Sequence, residues 1–141
     1  DENRVIDVIQ TLFKGMYQGD SALIHSIFYN DAHTVIISRD KTGNPVVRRE
    51  TTLEGFLKAV GTPHPEPWSE EIWNLKIQVD GDFAQAWCDY AFYLGHAFSH
   101  CGVDAFHLHK SKTGWKIIHL SYTARKSDCV IPEEIKKKHG G

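Results

Sequence analysis

No apolar run in this 141-residue chain approaches the ~20 residues needed to cross a bilayer as a helix, so no membrane partner is expected. Basic residues are not in excess. Sixteen Lys and Arg face eighteen Asp and Glu, for a formal net charge of -2, which excludes a generally basic nucleic-acid binder. Cysteine is scarce: Cys88, Cys101 and Cys129 form an odd set without CxxC spacing. That pattern argues against a disulfide framework or a structural zinc, and predicts reduced thiols in a cytoplasmic protein. No Gly-rich phosphate loop stands between a strand and a helix, and no repeat or low-complexity tract is present, so no cofactor is expected. The opening Asp1-Glu2-Asn3-Arg4 has no signal-peptide character but also no Met, which leaves a removed leader open.

What is present is ordinary for a soluble globular domain, with 41% hydrophobic and 24% charged residues. The length fits one domain over residues 1–141, with its core in about 5–125 and a polar, basic tail over 126–141 that is expected to fray. The unusual feature is nine His, four Trp, five Tyr and seven Phe, concentrated after residue 60.

Val5, Ile6, Ile9, Leu12, Phe13 and Met16 recur at helical spacing and Gly19 ends the run. Asp20 or Ser21 then caps a short helix carrying Leu23, Ile24, Ile27 and Phe28. Asn30-Asp31 reads as a turn into a strand over His33–Ser38, and Pro45–Arg49 returns as a second short strand. Thr51 or Thr52 caps a third helix, which stops at Gly61. Three prolines in the loop Gly61–Trp68 stiffen it. The loop is either a lid closed by Trp68 or a surface connection. Strands follow over Glu71–Val79, Phe83–Leu94, Phe98–Lys110 and Trp115–Arg125, giving an α+β order of ααββα and then a four-stranded antiparallel meander.

This order resembles the nuclear transport factor 2-like (SnoaL-like) superfamily. The segments Asp80-Gly81-Asp82-Phe83-Ala84-Gln85-Ala86-Trp87 and Gly114-Trp115-Lys116-Ile117-Ile118-His119-Leu120 are similar to its strand starts. Phe98-Ser99-His100-Cys101-Gly102-Val103-Asp104-Ala105-Phe106 is more specific, and resembles the branch labelled "putative lumazine-binding". The resemblance covers about residues 5–125. It implies a cone: three N-terminal helices packed against a strongly curved, mostly antiparallel sheet enclosing a pocket. It also implies a homodimer paired through the outer sheet face, but not one activity, because the fold hosts enzymes, binders and assembly domains.

Strand alternation proposes the pocket residues. If Ser111 pairs with Trp115, His107 faces His119 and His109 faces Ile117. Asp104, Phe106, Leu108, Ile118, Leu120 and Tyr122 then share the inner face. The preceding hairpin has two registers. A two-residue Gly95-His96 turn, slightly favoured, places Trp87, Asp89, Ala91 and Tyr93 beside His100 and Asp104. A three-residue turn places Cys88, Tyr90, Phe92 and Leu94 there instead. In the first register Asp89 orients His100 as a general base, and Tyr122 or Tyr90 donates a proton.

The expected pocket therefore has His100, Asp104, Asp89 and Tyr122 as candidate acid–base groups. Tyr17, Asp31, Trp68, Trp87, Tyr90, Phe106 and Leu120 are candidate ligand contacts, though Asp31 is better placed to cap or brace the first strand. His107, His109 and His119 have metal-ligand spacing, but their apolar flanks place them on an outer dimer face, so no metal is expected. The function that follows is a pocket for a small apolar or aromatic molecule. The alternatives are a dehydratase or isomerase using the acid–base set, and a non-catalytic dimerisation module.

Overall fold

Amphipathic spacing in the first turns produces α1, Glu2–Gln18, which buries Val5, Ile9, Leu12 and Met16 along one stripe. Gly19, at φ 67°, ends the helix in the left-handed region and returns its N–H to the carbonyls of Gly15 and Met16. Asp20 then caps α2, Ser21–His25, accepting from the Leu23 N–H at 3.0 Å. Thr52 caps α3, Leu53–Gly61, accepting from the Gly55 N–H at 3.1 Å. Thr51, the other candidate cap, lies outside the described residues; the computed structural model describes residues 1–49 and 52–140.

Six strands form one sheet in the order β2-β1-β6-β5-β4-β3. They are β1 Phe28–Arg39, β2 Pro45–Arg49, β3 Trp68–Asp80, β4 Phe83–Leu94, β5 Ala97–Ser111 and β6 Gly114–Thr123. Neighbours are antiparallel except β1 and β6, which run parallel. The α+β architecture expected from the sequence is the one observed. β1 starts earlier than expected, because Asn30 and Asp31 continue the strand instead of turning, with irregular pairing to β6 between Phe28 and His33. α1 crosses β3 and reaches β6. Its stripe meets Ala84, Ala86, Phe106, Leu108, Trp115 and Ile117 in a single buried cluster.

Three bulges decide which side chains face that cluster. The Gly95-His96 turn has two residues, as favoured, yet Phe92 pairs with His100 while Tyr93 pairs with Phe98. Ser99 is thus an extra residue, and it hands the inner face to Cys88, Tyr90 and Phe92. The favoured set of Trp87, Asp89, Ala91 and Tyr93 faces outward, because one inserted residue inverts alternation beyond it. A second bulge at Ile118 pairs Leu108 with Ile117 and His109 with Lys116, so Ile117 takes the buried place expected of Ile118. The third, at Asn74, bends β3; Asn74 adopts φ 55° and donates from Nδ2 to Asp89 Oδ2 at 2.8 Å.

The tail corrects two expectations. Arg125 and Cys101 exchange backbone hydrogen bonds of 2.9 and 3.0 Å, which carries the chain back along β5. Cys129 then forms a disulfide with Cys101, so those thiols are not reduced, and Cys88 is the only free cysteine, buried in the sheet. Nor does the tail fray: α4, Glu133–Lys138, docks so that His139 stacks on Tyr93 at 3.8 Å and bonds Glu71 at 2.7 Å. Spacing alone could not show that residue 129 returns beside residue 101. No helix among the described residues is long and apolar enough to cross a membrane.

The disulfide closes a loop of 28 residues in sequence separation, so its loss should lower unfolding free energy by about 2–4 kcal/mol. Guanidinium denaturation of Cys129→Ser should show a lower midpoint. An unchanged midpoint, with no free-thiol difference under native conditions, would mean that the bond does not form.

Candidate functional site

The concave side of the sheet, closed by α1 and α3, holds a cavity of about 350 Å³. Its wall is largely apolar: Leu12, Phe13 and Met16 come from α1, Phe28 from β1, Phe56 from α3, and Trp68, Phe92 and Leu120 from the sheet. Thr34, Glu70, His100, Asp104 and Tyr122 supply its polar atoms. Inner-face alternation explains each position: Trp68 and Glu70 on β3, Phe92 on β4, His100 and Asp104 on β5, Leu120 and Tyr122 on β6.

Asp104 is 3% exposed and Cα-paired with both Cys88 and Tyr122. Its side chain is hydrogen-bonded to that of Glu70. Two carboxyls can make such a bond only by sharing a proton. Burial pushes the Asp104 carboxyl up to about 6, and hydrogen bonding with Glu70 holds it from rising further. Burial, and then the charge of Asp104, raise Glu70 well above the usual carboxylate range. Both carboxyls therefore keep a proton to higher pH than free carboxyls do. Asp104 Oδ2 is fully buried, and among the described residues no amide, amine or hydroxyl group donates to it.

Four residues along β5, His100 also faces the cavity, with its ring 5.1 Å from Phe92 and 5.8 Å from Tyr90. Its Nδ1 bonds the hydroxyl of the bulged Ser99 at 2.9 Å. Burial first, and then the charge of Lys126, lower its basicity, so the imidazole is neutral near pH 7. Between the two lies Gly102, where an added Cβ would collide with the Thr123 backbone oxygen and lie 2.6 Å from its hydroxyl. Tyr90, the Cα partner of Gly102, sends its hydroxyl to that same Thr123 oxygen at 2.6 Å. Tyr90 is thus a buried strut beneath His100 and Tyr122, and burial raises its own pKa.

Of the expected site residues, His100, Asp104, Tyr122, Trp68 and Leu120 meet around the cavity. Asp89 does not: it lies on the outer face and accepts from Asn74, because the Ser99 bulge reverses its side. Trp87 shares that fate and is 55% exposed. Phe106 is fully buried behind the wall, edge-on to Phe13 at 6.5 Å. Tyr17 is exposed beside the outer end of the Pro-rich loop, and Asp31 is exposed on β1. The loop itself packs inward at one point, where His64 stacks on Trp68 at 4.5 Å. His107 and His119 face each other on the outer side at 6.0 Å, His119 bonds Ser121, and His109 instead meets Tyr29. Among the described residues no His, Cys, Asp or Glu cluster is placed to hold a metal.

The family model described as "Putative lumazine-binding" matches residues 1–123. The chain belongs to this family. It has the nuclear transport factor 2-like fold, shared with an NTF2-like protein from Cytophaga hutchinsonii (TM-score 0.69, 15% identity, covering 89% of this chain and 98% of that one). An NTF2-like protein with a cystatin-like fold from Novosphingobium aromaticivorans is similar at TM-score 0.70 and 11% identity, over 92% and 84% of the two chains. A protein from Streptomyces avermitilis named a "putative dehydratase from the NTF2-like family" matches at TM-score 0.62 and 14% identity, over 89% and 96%. No curated protein matches the chain significantly.

In this NTF2-like cone the group missed by sequence reasoning is Glu70. The signal was there: Trp68-x-Glu70-x-Ile72 alternates, but starting the strand at Glu71 left Glu70 outside it. A native Asp104 that keeps its proton to about pH 6, against about 4 when unfolded, binds extra protons within that window. The stability so gained is complete below that window and is lost as pH rises through the folded value. Asp104→Asn should therefore gain several degrees in Tm over the parent between about pH 4 and neutrality. An equal difference at both pH values would show that Asp104 titrates normally.

Proposed function

We propose that this protein binds a small, largely apolar molecule inside the cone and holds its polar end against Glu70 and Asp104. The observation that carries the reading is a largely apolar cavity of about 350 Å³ with the Glu70 and Asp104 carboxyls side by side in its wall. Such a volume lies toward the small end of ligand pockets, which run from about 300 to 1,000 Å³. Trp68 and Phe92, edge-on at 6.5 Å, suit a flat or aromatic body. The family's name makes lumazine one natural probe.

A second reading, a dehydratase or isomerase, is favoured by one observation: two adjacent carboxyls raised by burial and an imidazole whose basicity burial lowers line the same cavity. That set can give a proton at one end of a substrate and take one at the other. Asp104 with Glu70 replaces the Asp89–His100 pair expected from the sequence. His100→Gln separates the readings. If His100 is pocket wall, a probe that stabilises the parent should keep most of its thermal shift in the variant; saturation at a hundredfold excess over Kd is worth about 2.7 kcal/mol. Turnover falling roughly 100-fold with binding unchanged would make His100 a general base and overturn the binding-only reading.

The partner we propose is a second copy of the chain, paired through the outer face, where Phe83 and Trp87 are 43% and 55% exposed near His107 and His119. Exposed aromatics on an otherwise polar face favour association. Sedimentation should give a dimer at micromolar concentration and a monomer for Trp87→Glu; a monomeric parent would remove the proposal, and with it the dimerisation-module alternative. The Cys101–Cys129 bond favours an oxidising environment over the cytoplasmic one expected from three unpaired cysteines.

A further inference from the structure

We infer that the ligand is an amphiphile whose apolar body fills the inner cavity and whose neutral, hydroxyl-rich head continues past Glu70 into a second, polar pocket beneath the C-terminal tail. The inference rests on the binding reading above and names the chemical class of its ligand.

The second pocket, of about 560 Å³, lies between α1, the start of β3, the Gly95-His96 turn and α4. Phe13 and Glu70 line it and the inner cavity alike, so these two side chains form the partition. β3 is an edge strand, and no further strand closes the sheet on that side. A ligand can therefore round the edge from the concave face to the outer one. The tail supplies the far wall: Lys138 and His139 are carried there by α4, behind the Cys101–Cys129 bond. Gly95 keeps the floor open. At φ 63° an added Cβ would collide with the Glu66 carboxylate and push it across the pocket.

The two chambers differ in what they offer. Aromatic and aliphatic side chains make up most of the inner wall, which suits a body that gains by leaving water. In the outer pocket Lys138 pairs with Glu71 Oε2 at 3.1 Å, and His139 bonds the same oxygen at 2.7 Å. Those charges are matched within the protein. His96 turns its Nδ1 to His139 at 3.1 Å, which leaves its Nε2 for a ligand. The Glu66 carboxylate accepts, the Ser69 hydroxyl donates and accepts, and a neutral imidazole nitrogen does either. Hydroxyls, which both donate and accept, satisfy all three. An anion would meet Glu66 and Glu71, and a cation would meet Lys138, so a charged head of either sign faces repulsion. Glu66, His96 and Lys138 are exposed, so the head keeps part of its hydration and costs little to seat.

The probes are 2-phenylethanol, 2-phenylethyl β-D-glucopyranoside and methyl β-D-glucopyranoside: body alone, body with head, and head alone. Calorimetric titration of the full chain at neutral pH should show the phenylethyl glucoside binding roughly tenfold tighter than the alcohol, the net worth of two hydrogen bonds. Methyl glucoside should show no measurable binding. The double variant Glu66→Ala/His96→Ala changes two exposed side chains outside the inner cavity. In it the two phenylethyl ligands should bind within about twofold of each other, at the parent's affinity for the alcohol. Ser69→Ala is a milder change that serves if the double variant fails to fold; it should cost the glucoside about fivefold and leave the alcohol unchanged. Equal binding of the two phenylethyl ligands by the parent, or binding of the alcohol alone, would overturn the inference and leave the cavity reading standing. So would a glucoside preference that survives these substitutions, because the head would then lie elsewhere. Binding of neither phenylethyl ligand would overturn both.

Discussion

A single inserted residue, Ser99, determines what this cone can do. The Gly95-His96 turn alone would set Asp89 and Trp87 inside and Cys88, Tyr90 and Phe92 outside. The bulge reverses that assignment after two pairs, so Phe92 meets His100 and Cys88 meets Asp104. Everything chemical in the cavity follows from this placement. Asp104 loses Asp89 as a neighbour and is left facing apolar walls, within reach of Glu70. Tyr90 lands on the inner face over Gly102, where the absence of a side chain lets its hydroxyl reach β6.

Burying two carboxyls in one apolar cavity is unfavourable unless they share a proton. Packing elsewhere must hold this arrangement. The α1 stripe of Val5, Ile9, Leu12 and Met16 is locked against β4 to β6. The Cys101–Cys129 bond fixes β5 one residue from His100, and α4 is clamped through His139 to Glu71, the neighbour of Glu70. Both restraints act on strands that bear the polar residues of the site.

The first three helices, their caps and the order of elements along the chain were legible, because 3.6-residue and two-residue periodicities report directly on local structure; on the last hairpin Ile118 was misplaced, since the bulge there gives its buried place to Ile117. His100, Asp104, Tyr122, Trp68 and Leu120 were legible for the same reason. Asp89 and Trp87 were misplaced because a bulge carries no reliable local signal: Phe98-Ser99-His100 reads as ordinary strand. Glu70 was hidden by a strand boundary placed after it, at the end of a Pro-rich loop. The disulfide and the docked tail depend on contacts across 28 residues and more, which periodicity does not encode.

The central claim is that Glu70 and Asp104 sit side by side inside the cone and that burial there raises both carboxyls. Carbon-detected NMR titration of the side-chain carboxyls, assigned with Glu70→Gln and Asp104→Asn, reads this directly. The account predicts that Asp104 titrates near 6 and that Glu70 titrates well above the ordinary carboxylate range. Two ordinary titrations, both near the unperturbed value of about 4, would contradict it.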